Sequence, residues 1–221
     1  MVRTRISIAV SLTLAVNAVA LAAVSTARLE QQARSALRLA ADAAEGKELY
    51  ERSCAGCHGA QAHGDMIRLI PALAGQRRAY LIKRVAELND AERAAAHMHP
   101  KIESAELAAP QGWANLATYL QQSAPLQVTA SDNDSLAERG ARSYRRWCVS
   151  CHGADASGKD AQFVPSLRQQ RREYLLKELR SVASAHRMSV EGEAMSELDS
   201  LNTEATAGIV DYISRVGVVA R

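Results

Sequence analysis

The sequence predicts an all-α protein made of two small domains in tandem. Three observations carry this. The stretch Cys54-Ala55-Gly56-Cys57-His58-Gly59-Ala60 returns as Cys148-Val149-Ser150-Cys151-His152-Gly153-Ala154. The register of that repeat survives on both sides of it at an offset of 94 residues. No stretch shows the strict alternation bounded by turns that marks paired strands, whereas several runs have apolar residues at helical spacing.

Each copy contains C-x-x-C-H, the attachment signature of a c-type haem. Two thiols add across the two vinyl groups of one haem, and a two-residue gap lets both reach one edge of the macrocycle from a single helical turn. The adjacent imidazole then turns onto the iron as the proximal ligand. A zinc site would need further ligands, and these four cysteines are all the chain has. A thioredoxin-like pair would sit in a βαβ setting, which is missing, and disulfides would leave the histidine after each pair unexplained. Cys54, Cys57, Cys148 and Cys151 are therefore read as the attachment points of two covalent haem c groups, with His58 and His152 as proximal ligands.

Aligned at the 94-residue offset, Gly46 meets Gly140, Tyr50 meets Tyr144, Gly64 meets Gly158, and Pro71 meets Pro165. Gln76-Arg77-Arg78 meets Gln170-Arg171-Arg172, and Tyr80-Leu81 meets Tyr174-Leu175. This is an internal duplication, with a period too long for a solenoid. A domain of this size has a thin core of its own, and Phe163 is the sole phenylalanine. A flat apolar haem would supply the missing core, so the apo chain is expected to fold poorly.

In chain order, Arg3 and Arg5 precede a mostly apolar run from Ile6 to Val24. Residues 1–27 read as a signal peptide or an N-terminal membrane anchor, the run being long for the first and short for the second. Residues 28–42 read as a helical or disordered spacer. The first domain is expected over 43–123, with a helix into Cys54, a Gly-rich loop bearing Pro71, a long helix from Gln76 and a closing helix to Gln122. The polar stretch 124–135 reads as a linker. The second domain, 136–221, repeats the plan, with helices from Ser135 to Trp147, Gln169 to Ala185 and Thr203 to Val216.

The formal charge of +3 falls to +1 without Arg3 and Arg5. Each ferric haem with ionised propionates removes about one more charge. A near-neutral mature protein gives no reason to expect nucleic acid.

The two C-x-x-C-H motifs, Pro71-Ala72-Leu73-Ala74-Gly75-Gln76 with Tyr80-Leu81, and the copy Pro165-Ser166-Leu167 with Tyr174-Leu175, resemble the class I c-type cytochromes, and among them the dihaem cytochrome c4 family. The segments Ala117-Thr118-Tyr119-Leu120 and Val210-Asp211-Tyr212-Ile213 fit that family's closing helix. The middle helices depart from it in lacking their usual aromatic residue. The resemblance covers residue 43 onward and implies two tandem class I cytochrome c domains. It also implies that Pro71 and Pro165 offer their carbonyls to the proximal imidazoles, fixing each ring's tautomer.

The resemblance places a methionine between the long and closing helices as the second axial ligand. In the first domain this is Met98, within His97-Met98-His99, either histidine being the competitor. In the second it is Met195, 17 residues before Tyr212, over Met188 at 24. Met66 reads as packing, and His63 and His186 as loop or surface histidines. Thioether ligation raises the potential and suits electron transfer.

The expected role is a non-enzymatic relay of single electrons between periplasmic or membrane-bound respiratory partners: a quinol-oxidising complex or dehydrogenase on one side, a terminal oxidase or reductase on the other. Two alternatives stay open, a haem subunit of a membrane dehydrogenase or oxidase complex, and a dihaem peroxidase-like enzyme. The exported, periplasmic location follows from the N-terminal segment and from c-type attachment outside the bacterial cytoplasm.

Overall fold

The structure is a computed structural model describing residues 27–89, 104–129, 133–183 and 202–216. Residues 1–26 and the candidates His97, Met98, His99, His186, Met188 and Met195 lie outside the described residues. The fold is all-α; among the described residues the extended structure amounts to two isolated bridges, Asp65 with Ile70 and Lys159 with Val164.

In the first half, residues 27–36 form α1, Ala43–Ser53 α2, Ala55–His58 α3, Arg78–Asn89 α4 and Pro110–Gln122 α5, with a 3-10 turn at Glu106–Ala108. In the second, α6 is Asp134–Trp147, α7 Val149–His152, α8 Arg172–Ala183 and α9 Thr203–Val216, with a 3-10 turn at Asp160–Gln162. The starts have local causes. Asp42 caps α2 by accepting from the Ala44 and Glu45 amides at 2.7 and 3.2 Å, Asn133 caps α6 through the Leu136 amide at 3.0 Å, and Pro110 opens α5, where its missing N–H costs nothing.

In each half the helix entering the C-x-x-C-H turn crosses the closing helix, α2 on α5 and α6 on α9. Glycine permits the close approach. A Cβ at Gly46 would overlap the Asn115 carbonyl oxygen, and one at Gly140 would overlap that of Gly208. Around the first crossing Leu49, Tyr50, Ile82, Val85, Trp113, Leu116 and Leu120 form a core; around the second, Tyr144, Leu175, Ile209, Val210 and Ile213 do so. Full burial of such side chains is worth about 1.5–3 kcal/mol each.

Helix α1, expected as part of a spacer, packs into the first core. Ala33 and Ala36 are fully buried in it, and Arg78 donates to the Leu37 carbonyl at 2.9 Å. Leu29, Ala33, Ala36 and Leu37, spaced along one face of this stretch, are thus covered by the domain that follows it.

The halves meet across an approximate two-fold axis that obeys the 94-residue offset. Gln76 Nε2 donates to the Ser166 carbonyl at 2.9 Å while the Ser166 amide donates to Gln76 Oε1 at 2.7 Å. Reciprocally, Gln170 Nε2 donates to the Ala72 carbonyl at 2.9 Å and the Ala72 amide to Gln170 Oε1 at 2.8 Å. Arg77 donates to the Ser157 carbonyl at 2.5 Å and Arg171 to that of His63 at 2.7 Å. The symmetry breaks at Phe163, among other places. Phe163 reaches from the second half into the first core, where it is 3% exposed, and the Arg34 guanidinium lies 4.9 Å from its ring centroid.

Candidate functional site

Each C-x-x-C-H segment is one short turn hydrogen-bonded to the end of the helix before it. The Cys54 amide donates to the Tyr50 carbonyl at 2.8 Å, and the His58 amide to the Cys54 carbonyl at 2.9 Å. The second copy repeats both, Cys148 to Tyr144 at 2.8 Å and His152 to Cys148 at 2.9 Å. Gly59 and Gly153 end the turns at φ 77° and 79°, conformations that favour glycine. A tyrosine fixes each exit: the Tyr50 hydroxyl donates to the Gly59 carbonyl, and the Tyr144 hydroxyl to that of Gly153 at 2.7 Å. The tyrosines also meet the closing helices, Tyr50 against Tyr119 at 5.6 Å and Tyr144 against Tyr212 at 5.2 Å between centroids.

His58 Nδ1 lies 3.0 Å from the Pro71 carbonyl oxygen and His152 Nδ1 lies 3.0 Å from that of Pro165. A carbonyl can only accept, so Nδ1 carries the proton and the lone pair is on Nε2. The loops that deliver these carbonyls are built alike. The Gly64 and Gly158 amides donate back to the His58 and His152 carbonyls, each at 2.9 Å. At both glycines, φ 69° and 74°, a Cβ would overlap the backbone beside the proline. The Leu73 and Leu167 amides close the loops onto Ala62 and Ala156 at 2.8 and 2.9 Å.

The cysteines differ in setting. Cys54 is half-buried and Cys148 buried, whereas Cys57 is exposed and Cys151 half-buried. Burial first, and the neighbouring cysteine second, push the free Cys54 thiol up to about 11 and that of Cys148 to about 12. Burial likewise raises the Tyr50 and Tyr144 hydroxyls, keeping both as hydrogen-bond donors. Two thiols and one Nε2 lone pair presented by a single turn fit a covalently held haem in each half. Among the described residues no group of acidic, His and Cys side chains is arranged to hold a separate metal ion.

The structure brings together Cys54, Cys57, His58 and Pro71, and separately Cys148, Cys151, His152 and Pro165. Met66, read as packing, is instead 52% exposed, and its neighbour Ile67 is 90% exposed. His63 is a half-buried loop residue facing the Ala124 carbonyl at 3.0 Å. The tyrosine hydroxyl bonds, the loop glycines and the reciprocal glutamines carried a sequence signal, identity at the 94-residue offset, but their roles depend on contacts across the fold.

Comparison with known proteins agrees with this geometry. Residues 43–124 match the cytochrome c family, and residues 135–213 match the family described as cytochrome c oxidase, cbb3-type, subunit III. The chain therefore belongs to the class I cytochromes c as a tandem, dihaem member. Among solved structures it superposes on reduced recombinant cytochrome c4 from Pseudomonas stutzeri with a TM-score of 0.62 at 22% identity, over 79% of this chain and 98% of that one. In fold it is a cytochrome c4-like protein. It also superposes on a thiosulfate dehydrogenase from Marichromatium purpuratum with a TM-score of 0.60 at 25% identity, over 77% of this chain but 39% of that longer one. In sequence it is 27% identical over 198 residues to the thiosulfate dehydrogenase electron acceptor of Stutzerimonas stutzeri (strain A1501), spanning 82% of this chain and 90% of that protein.

Proposed function

We propose that this dihaem cytochrome collects electrons from a dehydrogenase that oxidises a reduced sulfur compound and passes them singly to a respiratory acceptor. The observation that carries the reading is the duplication itself. Both halves keep the attachment turn, the imidazole held by a proline carbonyl and the tyrosine that closes the turn, so neither has become a mere cap. Similarity over nine-tenths of a protein named as an electron acceptor of thiosulfate dehydrogenase points to the donor. Oxidative coupling of two thiosulfate ions releases two electrons, which matches two one-electron sites.

Bound haem supplies an iron that cycles between ferric and ferrous states. The chain's part is to hold it. With haem bound, His58 and His152 would ligate its iron through Nε2, oriented by Pro71 and Pro165. Met98 and Met195 would supply the second ligand of each iron, leaving peroxide or oxygen nowhere to bind. This assignment argues for a carrier over a peroxidase-like enzyme. The basic N-terminus followed by the run 6–24 supports export to the periplasm. Among the described residues no helix is long and apolar enough to cross a membrane, and anchoring would fall to that N-terminal run.

The test is reduction by thiosulfate with and without a thiosulfate dehydrogenase. Thiosulfate alone should leave both haems ferric, and adding the enzyme should reduce both. Turnover of thiosulfate by the purified protein alone, or fast stoichiometric carbon monoxide binding by the unmutated ferrous form, would overturn the carrier reading. Met195→Ala should admit carbon monoxide at the second haem only.

A further inference from the structure

Helix α1 stands outside the duplicated frame. At the 94-residue offset residues 27–36 fall on 121–130, where the chain leaves α5 for the linker. The added stretch is nevertheless stitched to the first half. Ala33 and Ala36 are fully buried. After them Arg78 donates to the Leu37 carbonyl at 2.9 Å, Gln111 Nε2 to the Ala40 carbonyl at 2.7 Å, and the Asp42 amide to Asn115 Oδ1 at 2.9 Å. One side chain of α1 reaches the other half. The Arg34 guanidinium, oriented by Glu30 at 3.0 Å, donates to the Ala161 carbonyl at 3.4 Å and lies 4.9 Å from the Phe163 ring centroid.

The second-half loop Asp160–Phe163 is thereby gripped twice. One grip is Arg34. The other comes from the start of α4, where Arg77 pairs with Asp160 at 3.2 Å and the Ala79 amide donates to the other Asp160 carboxylate oxygen at 3.4 Å. Between them the Phe163 ring shares the first core with Ala33 and Ala36. The equivalent loop of the first half is not seated in this way: its tip carries Met66 and Ile67, 52% and 90% exposed. A two-fold seam alone would close alike at both ends. This one is closed at one end by an element the repeat does not contain. Arg34 adds a cation–π contact and a hydrogen bond, and both exist only while α1 is in place.

We propose that α1 is a strap: seated on the first domain, it clamps the Asp160–Phe163 loop and locks the second domain in place, so that electron exchange between the two haems depends on it. No bond forms or breaks; one electron passes from the ferrous iron of one domain to the ferric iron of the other. The strap also limits where the N-terminal leader can be processed. The mature chain keeps residues 27–36, because a cut within them would empty the seat of Ala33 and Ala36. The electron-exchange consequence rests on the relay reading; the clamp itself rests on the contacts of Arg34 and Phe163.

The experiment compares the dihaem protein with two variants by hydrogen exchange and by interhaem electron exchange after pulsed reduction of one haem. Arg34→Ala removes the grip on the second domain and leaves α1 seated. A33E/A36E puts two carboxylates into a fully buried seat and expels α1. The reporters are the Phe163 and Val164 amides, which donate to the Asp160 and Lys159 carbonyls at 3.1 and 3.0 Å. In Arg34→Ala both should exchange about tenfold faster than in the parent, while the Ile82 and Val85 amides of the first core keep their rates. Arg38→Ala, which removes an exposed cation of the same segment, should change neither. In A33E/A36E, once intact mass shows two haems per chain, interhaem exchange should slow by about tenfold or more. Unchanged protection of the two reporter amides in Arg34→Ala overturns the proposal, whether or not A33E/A36E folds. So does an unchanged interhaem rate in loaded A33E/A36E, or a mature N-terminus beyond residue 36. Failure of the relay reading shows separately, as fast carbon monoxide binding by the parent, and leaves the hydrogen-exchange result standing.

Discussion

Replacing both Gln76 and Gln170 with alanine should uncouple the two domains while leaving each haem turn intact. Gln76 is 8% exposed and makes a two-way bond with Ser166 across the interface, at 2.9 and 2.7 Å. Gln170 does the same with Ala72. Each substitution removes two hydrogen bonds, and it strands the partner's backbone N–H in a part-buried seam. At about 1 kcal/mol per bond, each single change costs about 2 kcal/mol and the pair about 4 kcal/mol. That raises the equilibrium constant for separation of the domains by about a thousandfold. Intramolecular electron exchange after pulsed reduction of one haem reads the effect, because transfer between the haems requires the closed arrangement. The double variant should exchange more slowly, and its domains should melt in two transitions. A single transition at the parent temperature, with an unchanged exchange rate, would refute the claim that this amide pair holds the interface.

Phe163→Ala, a change in the second half, should destabilise the first, since the ring lies in the first domain's core. Loss of a buried phenylalanine costs about 3–5 kcal/mol. Hydrogen exchange should therefore quicken at the Ile82 and Val85 amides of α4, and a change confined to α9 would contradict this. Acid should loosen both haem loops. The Arg68 amide chiefly, then its side chain, holds the Asp65 carboxyl below its usual range, and the bond from Ser157 does so for Asp155. A depressed folded-state value means that the stabilisation is present above the unfolded value and lost as pH falls through the folded one. Titration followed by the haem absorption spectrum should show loosening below about pH 4 and none between about 5 and 8; a loop transition above pH 5 would count against these carboxylates.

Much of the fold was legible because haem attachment has rigid sequence demands. C-x-x-C-H, the proline after it and the matching tyrosines occur twice in one register, and the helix expected over Thr203 to Val216 is α9. What escaped the sequence depends on packing. Local periodicity in residues 27–36 shows an apolar face, but not that Ala33 and Ala36 meet the first core. Met66 and Ile67 are apolar by type, yet they sit on an exposed loop tip because the bridge between Asp65 and Ile70 turns the chain outward there. The reciprocal glutamines were visible as a match, but an amide that bridges two copies of a repeat looks in sequence like any other conserved-register residue.

The differences between the copies follow from what each one faces. In the first half Arg78 is held by Thr118 at 2.9 Å and by the Leu37 carbonyl, so the stretch after α1 closes that side. Among the described residues no such segment covers the equivalent Arg172, which pairs with Asp211 at 2.9 Å, a carboxylate 3% exposed that stands near the register of Thr118. The same divergence separates Leu69 from Phe163: both adopt a left-handed backbone, φ 55° and 56°, but only the phenylalanine fills the neighbouring core. The attachment turns and the two-fold amide seam are kept because each copy must present a haem and meet its twin. The outer surfaces are released from that constraint. Glu48 and Glu51 of α2, which become the exposed Arg142 and Arg145 of α6 at the 94-residue offset, belong to this second class.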